Sequence, residues 1–165
     1  REEPAKAENL LEDLSELFRH ALADTKEAVP LWQELELAEH YLAIEQVRFG
    51  DRLKVEWSID ETASKAKLPP LILQPLVENA VKHGSPPIHI EFIQQNGQFT
   101  LSVTNAITAK RSAQRDSGTG LGTAICQAVM HLHGGHFDTE TNTATAAFIA
   151  RLSWPAHSSK GAQRG

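Results

Sequence analysis

A chain of 165 residues with 41% hydrophobic and 22% charged side chains can bury one substantial core, so one domain with a helical extension is the expectation. The formal net charge of -5 argues against a general nucleic-acid binder, and no apolar run approaches the roughly 18 residues that cross a bilayer. A single cysteine, Cys126, gives no disulfide framework and points to a reducing compartment, with buried packing as its expected role.

From about Pro4 to Ala23, Leu10, Leu11, Leu14, Leu17, Phe18, Ala21 and Leu22 recur at helical spacing, a stripe that needs a partner helix. This charged, helix-favouring start at Arg1 reads as a cut through a longer protein. A turn at Val29-Pro30 precedes a second amphipathic helix with Leu31, Leu35, Ala38, Leu42 and Val47 expected inward, closed by Gly50-Asp51. The period then changes to two, with Leu53, Val55, Trp57 and Ile59 predicting a half-buried strand.

"LPPLILQPLVENAVKHGS" returns to helical spacing, and Pro75 within it predicts an early restart or a kink. Two strands, near Ile88 to Gln94 and Gln98 to Asn105, are expected around a turn at Asn96-Gly97. After a polar loop, Leu121, Ala124, Ile125, Ala128, Val129 and Leu132 predict a helix that Gly134-Gly135 stops. Strands near His136 to Glu140 and Thr145 to Trp154 follow, and the polar "PAHSSKGAQRG" closes the chain as an expected disordered tail.

This order predicts an α+β fold: a two-layer α/β sandwich of a mixed, mainly antiparallel sheet with helices on one face, preceded by a helical pair. The expected division is a first helical segment over 1–27, a connecting helix over 28–50, a globular domain over 51–155 and a tail over 156–165.

Two segments carry chemistry. "DSGTGLGTAI", residues 116–125, places glycines at the start of a helix, where free N–H groups and the helix dipole suit a phosphate; a plain turn is the alternative. It matches neither the dinucleotide fingerprint, because Thr123 stands at the third glycine, nor the Walker pattern, because no Gly-Lys-Ser/Thr ending is present. In "LQPLVENAVKHG", Gln74, Glu78 and Lys82 share one helix face and Asn79 and His83 form the adjoining row. That stripe is either a solvated face or a site for a magnesium triphosphate. In the second case the Asn79 amide oxygen meets the metal, Lys82 meets a phosphate and Glu78 orients a water or nucleophile.

Together the two segments resemble the ATP-binding domain of sensor histidine kinases, in the superfamily that also holds gyrase-type and Hsp90-type ATPases. "PLVENAVKHG" is similar to its asparagine box and "GTGLGTAICQAVMHLHGG" to its second glycine box. "VPLWQELELAEHYLAIEQVRFGDRL" resembles the segment preceding this domain in the LytS-type branch, so the resemblance runs from about Leu10 to Pro155. It implies ATP and Mg²⁺ as cofactors, with the metal on Asn79 and phosphates facing Lys82 and His83. Gly118, Gly120 and Gly122, with Thr119 and Leu121 between them, would close over the nucleotide. The loop from Thr108 to Ser117 would be a short lid offering Lys110, Arg111 and Arg115 to phosphates.

Two departures from the family pattern matter. Asn105 stands where an aspartate reads the adenine amino group, and the glycines that follow in the family are absent. Pro75 stands where the superfamily's ATPases carry a water-activating glutamate, so hydrolysis for its own sake is disfavoured and Glu78 becomes the candidate catalytic carboxylate. The resemblance places the acceptor histidine in a "PHFLFN"-like motif upstream, since none occurs here and His20 lacks an acidic neighbour. His131, His133 and His136 match no ligand spacing and read as packing or solvent-facing groups.

The expected function is therefore the catalytic region of a two-component histidine kinase. Its implied partner is a response regulator, possible types including the LytTR DNA-binding kind, and its full-length parent is expected to be a homodimer. No direct contact with nucleic acid is expected, and membrane attachment would come only through upstream segments of an inner-membrane parent. The alternatives are a nucleotide-poor scaffold of the same fold and an anti-sigma-type serine kinase.

Overall fold

The structure is a computed structural model that describes residues 28–107 and 121–156. The expected first helix, with His20, lies outside the described residues, as do Lys110, Arg111, Arg115, Gly118, Thr119 and Gly120, and most of the tail.

A two-residue strand β1 (Val29–Pro30) leads into helix α1 (Leu31–Phe49). Leu31, Ala38 and Leu42 are buried, and Leu35 is partly so. Val47, expected inward, is 89% exposed. The reason is angular: five residues past Leu42 is about 140° round the helix, off the buried stripe. Gly50 ends α1 at a φ of 57°, a conformation a glycine adopts without the Cβ penalty.

Strand β2 (Val55–Ile59) is followed by β3 (Lys67–Leu68), which pairs antiparallel with β1. Leu53, expected to open the alternation, is buried but precedes the strand, and Ile59 at its end is 36% exposed. Helix α2 (Leu73–His83) buries Leu73, Leu76, Val77 and Ala80. Pro75 is its third residue. First-turn amides have no intrahelical partner, so the proline ring costs the helix no bond and the early restart is the outcome.

Strands β4 (Ser85–Gln95) and β5 (Gln98–Ala106) form the central hairpin. Asn96 and Gly97, at φ 53° and 74°, make the turn with the left-handed pair that matches strand twist. Helix α3 (Leu121–Leu132) ends in a pair of bonds from Gly134 N–H to His131 O and Gly135 N–H to Met130 O, with Gly134 at φ 71°. Its buried arc is Cys126, Val129 and Met130. Leu132, expected inward, lies about 60° beyond the Val129 edge of that arc, in the last turn, and is 58% exposed.

Strands β6 (His136–Asn142) and β7 (Ala147–Pro155) complete the sheet. Thr145, expected to open β7, instead lies in the turn, where the Asn142 side-chain oxygen accepts from the Ala144 and Thr145 amides.

The sheet order is β2-β4-β5-β7-β6, with β2 parallel to β4 and every other pairing antiparallel. Alternation separates its faces. Ile88, Ile90, Phe92, Phe99, Leu101, Val103, Asn105, Ala150, Leu152, Trp154 and Phe137 are buried on the side the helices cover. The other face carries His89 paired with Glu56, and Arg151 with Asp138 and Glu140. The fold is thus α+β, with two layers and a mixed, mainly antiparallel sheet. Its core is graded. Phe92, Phe99 and Trp154 cluster with ring centroids 5.5 to 6.2 Å apart near the β4-β5 turn, whereas Ala80 and Gly84 stand beside the buried Asn105 at the opposite end.

Candidate functional site

That second end is where the polar residues converge. The apolar stripe of α2 is pinned to the core, so Lys82 stands on the opposite face and Asn79 on its flank, and with His83 at the helix end all three are exposed. Glu78 is half-buried between two bonds: its carboxylate accepts from Gln74 Nε2 at 3.1 Å and from Lys82 Nζ at 2.9 Å. The predicted four-residue ladder therefore forms. The Lys82 ammonium holds the Glu78 carboxyl below its ordinary value, against a smaller opposing effect of burial and helped by Gln74. Glu78 raises the Lys82 pKa in return. A carboxylate stabilised in its ionised form is a poor proton acceptor and a good fixed anion.

Asn105 approaches from the sheet. It lies on the helix-covered face of β5, 5% exposed, with Nδ2 donating to Ala106 O at 3.0 Å. It meets α2 across Gly84: a Cβ there would come within 2.3 Å of Ala80 O and 2.5 Å of Asn105 Cγ. The missing side chain at residue 84 is what allows the helix end and the buried amide to stand together. Sequence reasoning took Gly84 only as a boundary, because nothing local shows which strand residue faces it. Where the family pattern expects glycines after Asn105, Ala106 pairs with Ala147 and the Ile107 amide donates to Ala146 O at 2.8 Å, so this stretch is tied into the sheet.

Beside α2, a groove of about 460 Å³ runs between it and α1, lined by Tyr41, Glu45, Arg48, Phe49, Val81, Lys82, Gly84 and Ser85. The α1 residues were not singled out from sequence; the i, i+4 step from Tyr41 to Glu45 was the available signal. Burial, then the nearby Glu45 and Glu78 charges, raise the Tyr41 phenol above its ordinary value. The groove puts Lys82 on the boundary between α1 and the Asn79 row.

On the other flank, Cys126 of α3 is buried, and desolvation pushes its thiol up to about 11. His133 Nδ1 lies 2.9 Å from Val129 O, closing the same helix end as the two glycines. The backbone of Leu121 opens α3.

The donor set can be compared with what a magnesium nucleotide needs. Mg²⁺ is held by one or two protein oxygens together with phosphates and water, and Asn79 supplies an exposed amide oxygen beside a lysine and a histidine. Asn105 supplies a buried amide that can both donate and accept, which suits a base edge. These residues fit the group.

Comparison with known proteins agrees in kind. Residues 1–53 match the family described as histidine kinase, and residues 65–156 match the one described as histidine kinase-, DNA gyrase B-, and HSP90-like ATPase. Over 127 residues the chain is 36% identical to the sensor histidine kinase YpdA of Escherichia coli strain K12, covering 76% of this chain and 21% of that protein. Over 123 residues it is 35% identical to the sensor protein LytS of Staphylococcus haemolyticus strain JCSC1435, covering 70% and 19%. The chain thus spans about a fifth of the length of these relatives. Among solved structures, the catalytic domain of histidine kinase ThkA superposes with a TM-score of 0.62 at 16% identity, covering 79% of this chain and 97% of that one. The Acinetobacter baumannii histidine kinase AdeS gives 0.59 at 12%, covering 96% and 87%.

Proposed function

The chain belongs to the histidine kinase-, DNA gyrase B-, and HSP90-like ATPase family, and from that premise we propose that it binds ATP with Mg²⁺ and serves as the catalytic region of a LytS-type sensor histidine kinase. The observation that carries this reading is that the end of α2, the helix that exposes Asn79, Lys82 and His83, packs at Gly84 against the buried Asn105 amide.

In this proposal the Asn79 amide oxygen is the protein's ligand to the metal, Lys82 balances phosphate charge and His83 faces the phosphates. Asn105 reads the adenine edge through its amide. A neutral amide gains about 1 kcal/mol where a carboxylate would gain about 1.5–3, so Asn105 sets a weaker base contact than the family's aspartate. Lys110, Arg111 and Arg115, with Gly118, Thr119, Gly120, Leu121 and Gly122, are proposed as the lid and second phosphate segment. Bound ATP supplies the γ-phosphoryl group for transfer. Glu78, kept ionised by Lys82, accepts a hydrogen bond from the incoming nucleophile and orients it. Pro75 leaves the position one helical turn before Asn79 without a base, which disfavours attack by water.

The proposed domain division assigns 1–27 to the dimerisation region, 28–50 to a connecting helix, 51–155 to the catalytic domain and 156–165 to a tail. The acceptor histidine is assigned to a segment outside these residues, and a response regulator, of the LytTR kind by resemblance, to the next step. A dimeric, membrane-attached parent completes the proposal. No helix among the described residues is long and apolar enough to cross a membrane.

The test is labelling. Incubated with γ-labelled ATP and Mg²⁺, these 165 residues should bind nucleotide and form no acid-labile phosphohistidine, and a longer chain with the acceptor segment should become labelled. Robust labelling at His20 would move the chemistry into residues 1–27 and contradict the assignment.

A further inference from the structure

α2 carries the proposed metal and phosphate contacts, yet its own sequence does not secure its start. Its N-cap residue, Ile72, makes no side-chain capping bond, and its first turn holds no acidic residue. Pro69 and Pro70 just before it have no N–H to offer or satisfy. Helices with this deficit leave several amides unpaired, and buried unpaired amides are strongly disfavoured.

The amides are taken up from another element. Glu34, in the first turn of α1, is 2% exposed. Its Oε1 accepts from Leu71 N–H at 2.7 Å, and its Oε2 from Ile72 and Leu73 N–H at 3.0 Å each. Leu71, at φ 57°, sits in a backbone conformation that a non-glycine residue adopts only when its surroundings hold it there. No salt bridge to Glu34 forms among the described residues, so the carboxylate is compensated by three N–H groups and the positive end of the α2 dipole. The base of α1 is itself fixed to the same segment, through the β1-β3 pairing and a bond from Leu31 N–H to Ala66 O at 2.9 Å.

We infer that Glu34 is a positioning residue of the nucleotide site: from α1, its buried carboxylate holds the first amides of α2 and so sets where Asn79, Lys82 and His83 stand. The inference rests on the functional reading above. Asn79 is six residues beyond Leu73, about 9 Å along the same helix, so a tilt of α2 at its held end displaces it. A local Ser or Asp would have capped α2 equally well; a carboxylate brought from α1 makes the two helices move together, and links whatever displaces α1 to nucleotide affinity.

The experiment uses Glu34→Gln, which keeps the size and turns an NH₂ toward the amides. Amide hydrogen exchange at Leu71, Ile72 and Leu73 is read beside affinities for Mg·ATP and for adenosine alone. The expected result is lost protection at the three amides and Mg·ATP binding weakened about tenfold or more, with adenosine affinity, which depends on Asn105, changed less than about twofold. If protection is lost and Mg·ATP affinity stays within about twofold, Glu34 is only a cap and the inference is overturned; equal losses for both ligands overturn it as well. A second variant, Leu71→Asp in the Glu34→Gln background, returns a carboxylate from α2's own side. It should regain exchange protection without regaining Mg·ATP affinity, and recovery of both would show that α1 is not needed. Should Glu34→Gln fail to fold, Glu34→Asp keeps the charge on a shorter stem and carries the same readings. Absence of nucleotide binding by the unaltered chain would defeat the functional reading instead, an outcome that the exchange data, which need no nucleotide, keep apart from a failure of Glu34 to hold α2.

Discussion

Asn105 and Gly84 define the tightest contact of the site, and each makes a separate prediction. Gly84→Ala forces a methyl to within 2.3 Å of Ala80 O and 2.5 Å of Asn105 Cγ, and the first of these is backbone that cannot yield. The expected cost is about 1–3 kcal/mol of stability with the Asn105 amide displaced, checked by denaturant unfolding. Asn105→Asp should keep or strengthen nucleotide affinity, whereas Asn105→Leu should weaken it by about 1–3 kcal/mol by leaving a donor unpaired. Equal affinities in calorimetry for all three residues would remove Asn105 from base recognition. Cys126 is the opposite kind of residue, with chemistry suppressed by burial. Its thiol is raised from 9.0 to about 11, so at pH 8 it should react with a thiol reagent only after unfolding. The sign of linkage follows. The folded pKa lies above the unfolded one, so the protonated thiol contributes stability fully below about 9, and that contribution is lost as pH rises toward about 11. Rapid labelling of the native chain would contradict the burial.

At the scale of elements, the polar stripe of α2 was legible because its spacing is local: Gln74, Glu78 and Lys82 are separated by one turn and do bond. Lys82→Met tests its electrostatics. The Glu78 carboxyl is held below its ordinary value of 4.5 chiefly by Lys82, so a carboxyl-resolved NMR titration should show it rising toward that value in the variant. The depressed pKa contributes stability above about 4.5 that is lost as pH falls through the folded value, and this acid-side loss should shrink in Lys82→Met. An unmoved titration would show that the pair does not persist in solution. What the sequence hid about α2 is its start. Glu34 lies 37 to 39 residues from the amides it accepts from, and no period or cap motif connects them. Helix faces were legible to within a turn, but Val47 and Leu132 show the limit: apolar type alone placed both inward, while their angular positions leave them in solvent.

For the whole molecule, the alternation of β2, β4, β5 and β7 and the Asn96-Gly97 and Gly134-Gly135 punctuation made the two-layer architecture legible, since each is a short-range signal. The α2 stripe is legible in the sequence, whereas the approach of the α2 end to the buried Asn105 depends on Gly84 and on β5 sitting centrally in the sheet, and the start of the glycine stretch, residues 116–120, lies outside the described residues. The gradient from an aromatic cluster at one end to small residues and buried amide at the other is also a product of sheet register, which strand patterns do not fix. The proposal that this open end takes a magnesium nucleotide is tested most directly by titration calorimetry of the chain with a non-hydrolysable ATP analogue, with and without Mg²⁺, alongside Asn79→Ala. Saturable binding strengthened by Mg²⁺, with the metal-dependent part lost in a normally folded Asn79→Ala, is the predicted result. No binding at millimolar nucleotide, or an affinity indifferent to both Mg²⁺ and Asn79, would contradict it.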